Sequence, residues 1–274
     1  MVSQEQRRRQ LAREKFLRQQ QRRTTARRKT HARNAVVASV LGVVVVGSVV
    51  SYATGVFKND DDKKANAAAE VTPSAAPTSK APDPCDKPAE GKVESLGWKK
   101  EPAVTIDKSA DYTMKMATTC GDIDIALKTA AAPHTVNSFN FLAGKGFFDH
   151  TKCHRLTTNG IYVLQCGDPT AAGSGGPGYT IPDENLKDEV LKGGVYPAGT
   201  VAMANTGQKH SGGSQFFLVY QDSQLPASYT PFGTISASGM KVLKKIAAAG
   251  DSTGQGDGAP NATVVINKMT VTKS

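Results

Sequence analysis

Residues 35–57 read AVVASVLGVVVVGSVVSYATGVF, 23 positions without a single charge. About 20 apolar residues suffice to cross the hydrocarbon core of a bilayer. A helix of this length in a water-soluble domain would show polar positions for its wet face. The run therefore predicts a single transmembrane helix over 35–57 and divides the chain into two parts that fold apart. A cleaved signal peptide is the alternative, and Tyr52-Ala53-Thr54-Gly55 offers small residues for it. The long basic stretch before the run and the length of the run favour an uncleaved anchor.

The charge of the whole chain, +10, suggests a nucleic-acid partner until it is located. Residues 1–34 carry 12 Lys or Arg and two Glu, whereas the remaining 240 carry 22 basic and 22 acidic residues. The basicity belongs to a tail. A basic flank stays on the inner side, so residues 1–34 are expected to be cytoplasmic and the rest exported. The tail suits anionic lipid. Only Phe16 interleaves its charges, so nucleic-acid binding is not expected. Residues 58–95 are rich in Ala, Pro, Asp and Lys without apolar periodicity, which predicts a disordered linker.

Arginine is distributed more unevenly still. Ten of the eleven lie in the tail; beyond Arg33 the chain uses Lys 21 times and Arg once, at Arg155. A planar, permanently charged fork wanted at one position would explain this, and so would a structural ion pair. Cys85, Cys120, Cys153 and Cys166 all lie in the exported part, where two disulfides can form with three possible connectivities. Cys153 and Cys166 flank a hairpin and could face each other, which would leave Cys85 for Cys120. Their spacings match no zinc template, and no metal is expected.

Residues 96–274 read as the folded domain. YTMKMATT and DIDIALK alternate as a hairpin. Val136, Phe139 and Leu142 share a helical face that stops near Gly144. CHRLTT and IYVLQCGD follow as strands around Asn159-Gly160. TVAMAN, SQFFLVY, PFGTI and TVVINKMTVTK supply further strands, and GMKVLKKIAAAG a second helix. The Gly-rich stretch 171–179 has no following Lys and helix, so it reads as a loop rather than a phosphate cradle. Many antiparallel strands with two helices predict a mainly β domain, a closed barrel capped by helices.

The blocks CHRL at 153–156, QCGDPT at 165–170, GSGGPGY at 173–179, VAMANT at 201–206 and GGSQFFLVY at 212–220, followed by PFGTI and GMKVLKKI, resemble the cyclophilins in order and spacing. The resemblance runs from about Tyr112 to Lys273. It implies an eight-stranded barrel capped by two helices, peptidyl-prolyl cis-trans isomerase activity on proline-containing polypeptides, and no cofactor. By resemblance Arg155 is the catalytic residue. Gln165, Ala204, Asn205, Thr206 and Gln215 then hold the peptide, and Tyr162, Val163, Phe217 and Leu225 form the proline pocket. Three features depart from the family. The hairpin between His154 and Gln165 is two residues longer, Tyr162 and Val163 stand where Phe and Met are usual, and Gln224 and Tyr229 replace a Trp and a His. These changes motivate an alternative, a peptide-binding module or chaperone with little isomerase activity.

Overall fold

The computed structural model describes residues 82–274. The expected tail, the expected span and the linker as far as residue 81 lie outside the described residues. Among the described residues no helix is long and apolar enough to cross a membrane.

Strands β1 (Tyr112–Thr118) and β2 (Gly121–Leu127) form the first hairpin. Their alternation sends Met114, Met116, Ile123 and Ile125 into the core, fully buried. Lys115 points outward and pairs with Asp122 at 2.7 Å. Helix α1 (Pro133–Gly144) starts with Pro at its first turn. Its N-terminus is capped from a distance: the Glu184 carboxylate accepts from the His134 and Thr135 N–H groups and from the Thr135 hydroxyl, at 2.8–3.0 Å. An acid there satisfies orphan donors and complements the helix dipole.

The chain continues through β3 (Thr151–Lys152), β4 (Arg155–Thr157) and β5 (Val163–Cys166). A long loop leads to a 3-10 segment, Glu189–Gly194, then β6 (Val195–Tyr196), β7 (Thr200–Met203), β8 (Phe216–Val219) and β9 (Ser223–Gln224). Strand β10 (Pro231–Ile235), helix α2 (Ala237–Ala248), β11 (Asp257–Gly258) and β12 (Val265–Lys273) complete the domain.

The mainly β expectation and its two helices hold. The strand count does not: ten strands pair antiparallel in the order β11-β4-β5-β8-β7-β10-β2-β1-β12-β3, and β6 pairs separately with β9. The pairing forms a curled antiparallel sheet of ten strands instead of eight. Bends cut what the pattern reads as single strands into shorter ones. At one such bend the Cys153 N–H donates to Val264 O while the next residue, His154, donates to Gln165 O. The stretch between β3 and β4 thus bonds both the residue before β12 and β5.

Inside the curl, Phe139 contacts Phe148, Phe216 and Phe232 at centroid distances of 4.6–5.3 Å. All four rings are fully buried. Burying each is worth about 1.5–3 kcal/mol, so this cluster is a main source of the domain's stability.

Residues 82–111 contain no helix or strand, yet they are fixed along the domain. Asp86 N–H donates to Thr119 O at 2.8 Å and Ala89 N–H to Asn267 Oδ1 at 3.0 Å. Trp98 packs edge-on against Phe141 of α1 at 5.0 Å. The end of the expected linker, 82–95, therefore lies on the domain as a strap. Of the three possible cysteine connectivities, the structure forms Cys85–Cys120 and Cys153–Cys166.

Candidate active site

Strands β4 and β5 place Arg155 directly opposite Gln165. The Arg155 guanidinium donates through Nη1 to Gln165 Oε1 at 3.2 Å. Gln165 Nε2 donates in turn to Gln215 Oε1 at 2.9 Å, and Gln215 Nε2 to Gly175 O at 2.9 Å. Each amide is oriented by its neighbour, so the chain of donors runs in one direction from the cation to the Gly-rich loop. On its other side Arg155 donates through Nε and Nη2 to the two carboxylate oxygens of Asp257, at 2.7 and 2.9 Å. That pairing holds the guanidinium pKa above its ordinary value, against the opposing effect of burial. The group is a permanent cation.

Beside this cation lies a cavity of about 210 Å³ lined by Arg155, Ile161, Val163, Gln165, Ala204, Asn205, Phe217, Leu225 and Tyr229. Its floor is apolar: Phe217 belongs to one buried cluster with Val163, Leu191, Tyr196 and Ala202. Tyr196 supports the wall from beneath. Its hydroxyl donates to Tyr229 O at 2.8 Å and accepts from the Tyr229 N–H at 3.1 Å. Burial pushes the Tyr196 phenol up to about 12, so it stays a neutral donor. The Tyr229 ring meets Phe217 edge-on at 5.5 Å. Asn205 Nδ2 donates to Ser228 O at 2.8 Å, tying the loop after β7 to the loop before β10.

A second, larger hollow of about 520 Å³ adjoins the first, sharing Gln165, Ala204 and Asn205 with it and lying between the Gly-rich loop and residues 204–215. The loop is pinned by buried Asp168, whose carboxylate accepts from Thr170, Gly173 and Gly175 at 2.6–3.1 Å. Burial alone would raise the Asp168 pKa; these hydrogen bonds outweigh it and leave the group below the usual carboxylate range. Gly167 before it has φ +88°, and a Cβ there would sit 2.2 Å from Ser214 O. Only glycine allows this approach.

Most of the sequence-derived site residues thus converge. Arg155, Val163, Gln165, Ala204, Asn205, Phe217, Leu225 and Tyr229 line the small cavity, and Gln215 and Thr206 line the larger one. Tyr162 does not line either. It packs against Tyr220 at 5.9 Å, and Ile161 takes the place expected for it. Neighbouring residues in a strand face opposite ways, so Tyr162 and Val163 cannot both face one pocket. Ile161 shares the parity of Val163 and Gln165, a signal present in the sequence. Tyr196 and Asp257 carry no local motif, because both act through tertiary contact.

A curled antiparallel sheet carrying an Arg–Gln–Gln relay beside an apolar pocket defines a cyclophilin-like domain. The chain belongs to this family: the model for cyclophilin type peptidyl-prolyl cis-trans isomerase/CLD matches residues 113–271. Among curated relatives, the chain is 48% identical over 198 residues to a probable peptidyl-prolyl cis-trans isomerase B of Mycobacterium leprae, covering 69% of this chain and 63% of that one. It is 46% identical over 168 residues to the protein of the same description in Mycobacterium tuberculosis, covering 58% and 54%. It is 38% identical over 125 residues to peptidyl-prolyl cis-trans isomerase B of Bacillus subtilis, covering 45% and 82%. The matched region spans less than two thirds of each mycobacterial relative.

Proposed function

We propose that the chain is a peptidyl-prolyl cis-trans isomerase that acts on exported polypeptides from a membrane tether. The observation that carries the activity is the Arg155 guanidinium beside a cavity of about 210 Å³ with an apolar floor, able to hold a proline ring. Rotation about a peptide bond is opposed by about 18–20 kcal/mol of amide resonance. Before proline the two isomers differ by only about 0.5–1 kcal/mol, yet exchange takes tens to hundreds of seconds. Catalysis needs no covalent step. It needs a site that favours the twisted amide over either planar form.

On twisting, the proline nitrogen becomes pyramidal and regains its lone pair. A fixed cationic donor then stabilises the twisted state more than the planar ones. Arg155 is that donor, Gln165 keeps its fork in plane, and Val163, Phe217 and Leu225 hold the ring while the preceding carbonyl turns. Lowering the barrier by about 7 kcal/mol corresponds to roughly 10⁵-fold acceleration. The sheet closes as a barrel behind this site, a reading supported by the adjacent N–H groups of Cys153 and His154, which donate to Val264 O beside β12 and to Gln165 O of β5.

The extracytoplasmic placement is supported by the uncharged run 35–57, by the basic flank before it and by two disulfides, which persist in oxidising compartments. The full-length chain, purified in detergent, is assayed on a proline-containing peptide. Acceleration of cis–trans exchange supports the reading, and peptide binding with the spontaneous rate rejects it for a binding module. Protease added to intact cells should remove the domain and spare the tail; a fully protected domain would reject the placement.

A further inference from the structure

Asp257 is the acid that grips the guanidinium, and the isomerase chemistry as derived above gives it no part. We propose that Asp257 is a positioning residue of the active site, aiming Arg155 at the reacting amide. This rests on the isomerase reading.

The backbone delivers Asp257 to a fixed place. Strand β11 is two residues long and pairs Asp257 with Thr157 and Gly258 with Leu156, along the strand that carries Arg155. The loop before it is folded around Asp251, whose carboxylate accepts from Thr158 Oγ1, Thr253 and the Gly256 N–H. Thr158 N–H donates to Gly256 O at 2.9 Å. Gly256 has φ +93°, and a Cβ there would lie 2.4 Å from the Asn159 Cβ, so the loop closes on the β4–β5 hairpin only because a glycine stands there.

The geometry of the pair is bidentate: Nε to Oδ1 at 2.7 Å and Nη2 to Oδ2 at 2.9 Å. Two parallel bonds fix the plane of the fork as well as its distance. An arginine has five N–H donors. Asp257 takes two and Gln165 one, leaving one on each terminal nitrogen for substrate.

Magnitudes separate this role from a stabilising one. The two side chains are 38% and 59% exposed, and pairs as open as this add little to stability. A donor misplaced by about 1 Å, by contrast, costs about 100-fold in rate. A field effect would act in the other direction, since a nearby carboxylate damps the cation, and removing it would then speed the reaction.

The full chain and its Asp257→Asn and Asp257→Ala variants are compared in three measurements: kcat and KM on a proline-containing peptide, melting temperature, and hydrogen exchange of the Arg155 Nε–H by NMR. We expect kcat to fall about tenfold in Asp257→Asn and further in Asp257→Ala. KM should stay within roughly twofold, since ground-state binding is untouched. The melting temperature should be retained and Nε–H exchange should quicken. An unchanged or increased kcat, or a loss confined to variants that melt early, overturns the proposal. An inactive parent chain would sink the isomerase reading instead, and Nε–H exchange unaltered by Asp257→Asn would still show that the acid does not hold the fork.

Discussion

Arg155 and Gln165 face each other across the β4–β5 ladder, and the 3.2 Å bond between their side chains is the first link of a relay that ends at Gly175 O. Because Gln165 Oε1 faces the cation, its Nε2 must face Gln215, and the orientation of every amide follows from the charge at one end. A polar network satisfied in this way is rigid, and it leaves the guanidinium little freedom but to face the cavity.

Replacing Arg155 by Lys keeps the charge and removes the fork. Lysine cannot bond Asp257 in a bidentate fashion while also donating to Gln165 and to substrate. We expect kcat/KM to fall by about 100-fold in Arg155→Lys, within the range for loss of an electrostatic donor, and at least as far in Arg155→Ala. The melting temperature should hardly move, because the ion pair is open to solvent. A lysine variant with near-parental activity would show that point charge alone suffices.

The two residues at the hairpin tip are separable. Ile161 lines the small cavity, whereas Tyr162 packs on Tyr220. Ile161→Ala should raise KM by about tenfold, for loss of roughly 1–3 kcal/mol of apolar contact in the pocket. Tyr162→Ala should leave KM within about threefold and act on stability through the lost ring contact, worth about 0.5–1.5 kcal/mol. Equal effects on KM from the two would contradict the placement of Tyr162 outside the pocket.

How far the site could be read in the sequence follows from this hairpin. Gln165, Ala204, Asn205, Gln215 and Phe217 sit in blocks whose order marks them, and the alternation of YTMKMATT and DIDIALK places Met114 and Ile125 in the core without help. Ile161 is hidden because the longer hairpin blurs the alignment near its tip, and strand parity with Val163 and Gln165 is what places it. Asp257 and Tyr196 are illegible locally: Asp257 reaches Arg155 across 102 residues and Tyr196 reaches Tyr229 across 33. The strap 82–95 has the composition of a linker, and what fixes it is Cys85 bonded to Cys120 together with backbone donors such as Asp86, which have no signature of their own. The strand count went wrong at bends such as Cys153-His154, where adjacent N–H groups serve different neighbours.

His154 gives the domain a pH dependence of defined sign. Both ring nitrogens are buried without a hydrogen-bond partner. Burial lowers the pKa below the usual 6.5, and the neighbouring Arg155 lowers it further against the opposing pull of Asp168. Above 6.5 the ring is neutral in both the folded and the unfolded chain. As pH falls through 6.5 the unfolded chain takes up a proton that the folded chain resists, so stability falls. Carboxylates with lowered pKa, such as Asp168 and Asp251, lose their contribution only below 3.8, a separate window. Melting temperature should therefore drop between about pH 7 and 5 in the parent chain and drop less in His154→Asn. Parallel curves would mean that other groups carry the dependence.

The two disulfides should differ in what their removal releases. Cys153–Cys166 closes 13 residues and ties the bend just before Arg155 to the strand that carries Gln165. Cys85–Cys120 closes 35 residues and ties the strap to the β1–β2 turn. Chain entropy alone gives about 3 kcal/mol for the shorter loop and about 4 kcal/mol for the longer one. The longer one carries little of the core, since the strap contributes Cys85 and no fully buried side chain before Leu96. Unfolding of the strap can therefore occur without unfolding of the sheet. In Cys85→Ala/Cys120→Ala we expect proteolytic cleavage at Lys87 or Lys92 while kcat/KM is retained. In Cys153→Ala/Cys166→Ala we expect the strap to stay protected, global stability to fall by about 3 kcal/mol, and kcat to fall with it as the Arg155–Gln165 register loosens. Denaturant titration, limited proteolysis and the peptide assay on the same two variants decide between these outcomes. A cleaved strap accompanied by lost activity would mean that the strap supports the site as well as the surface it covers.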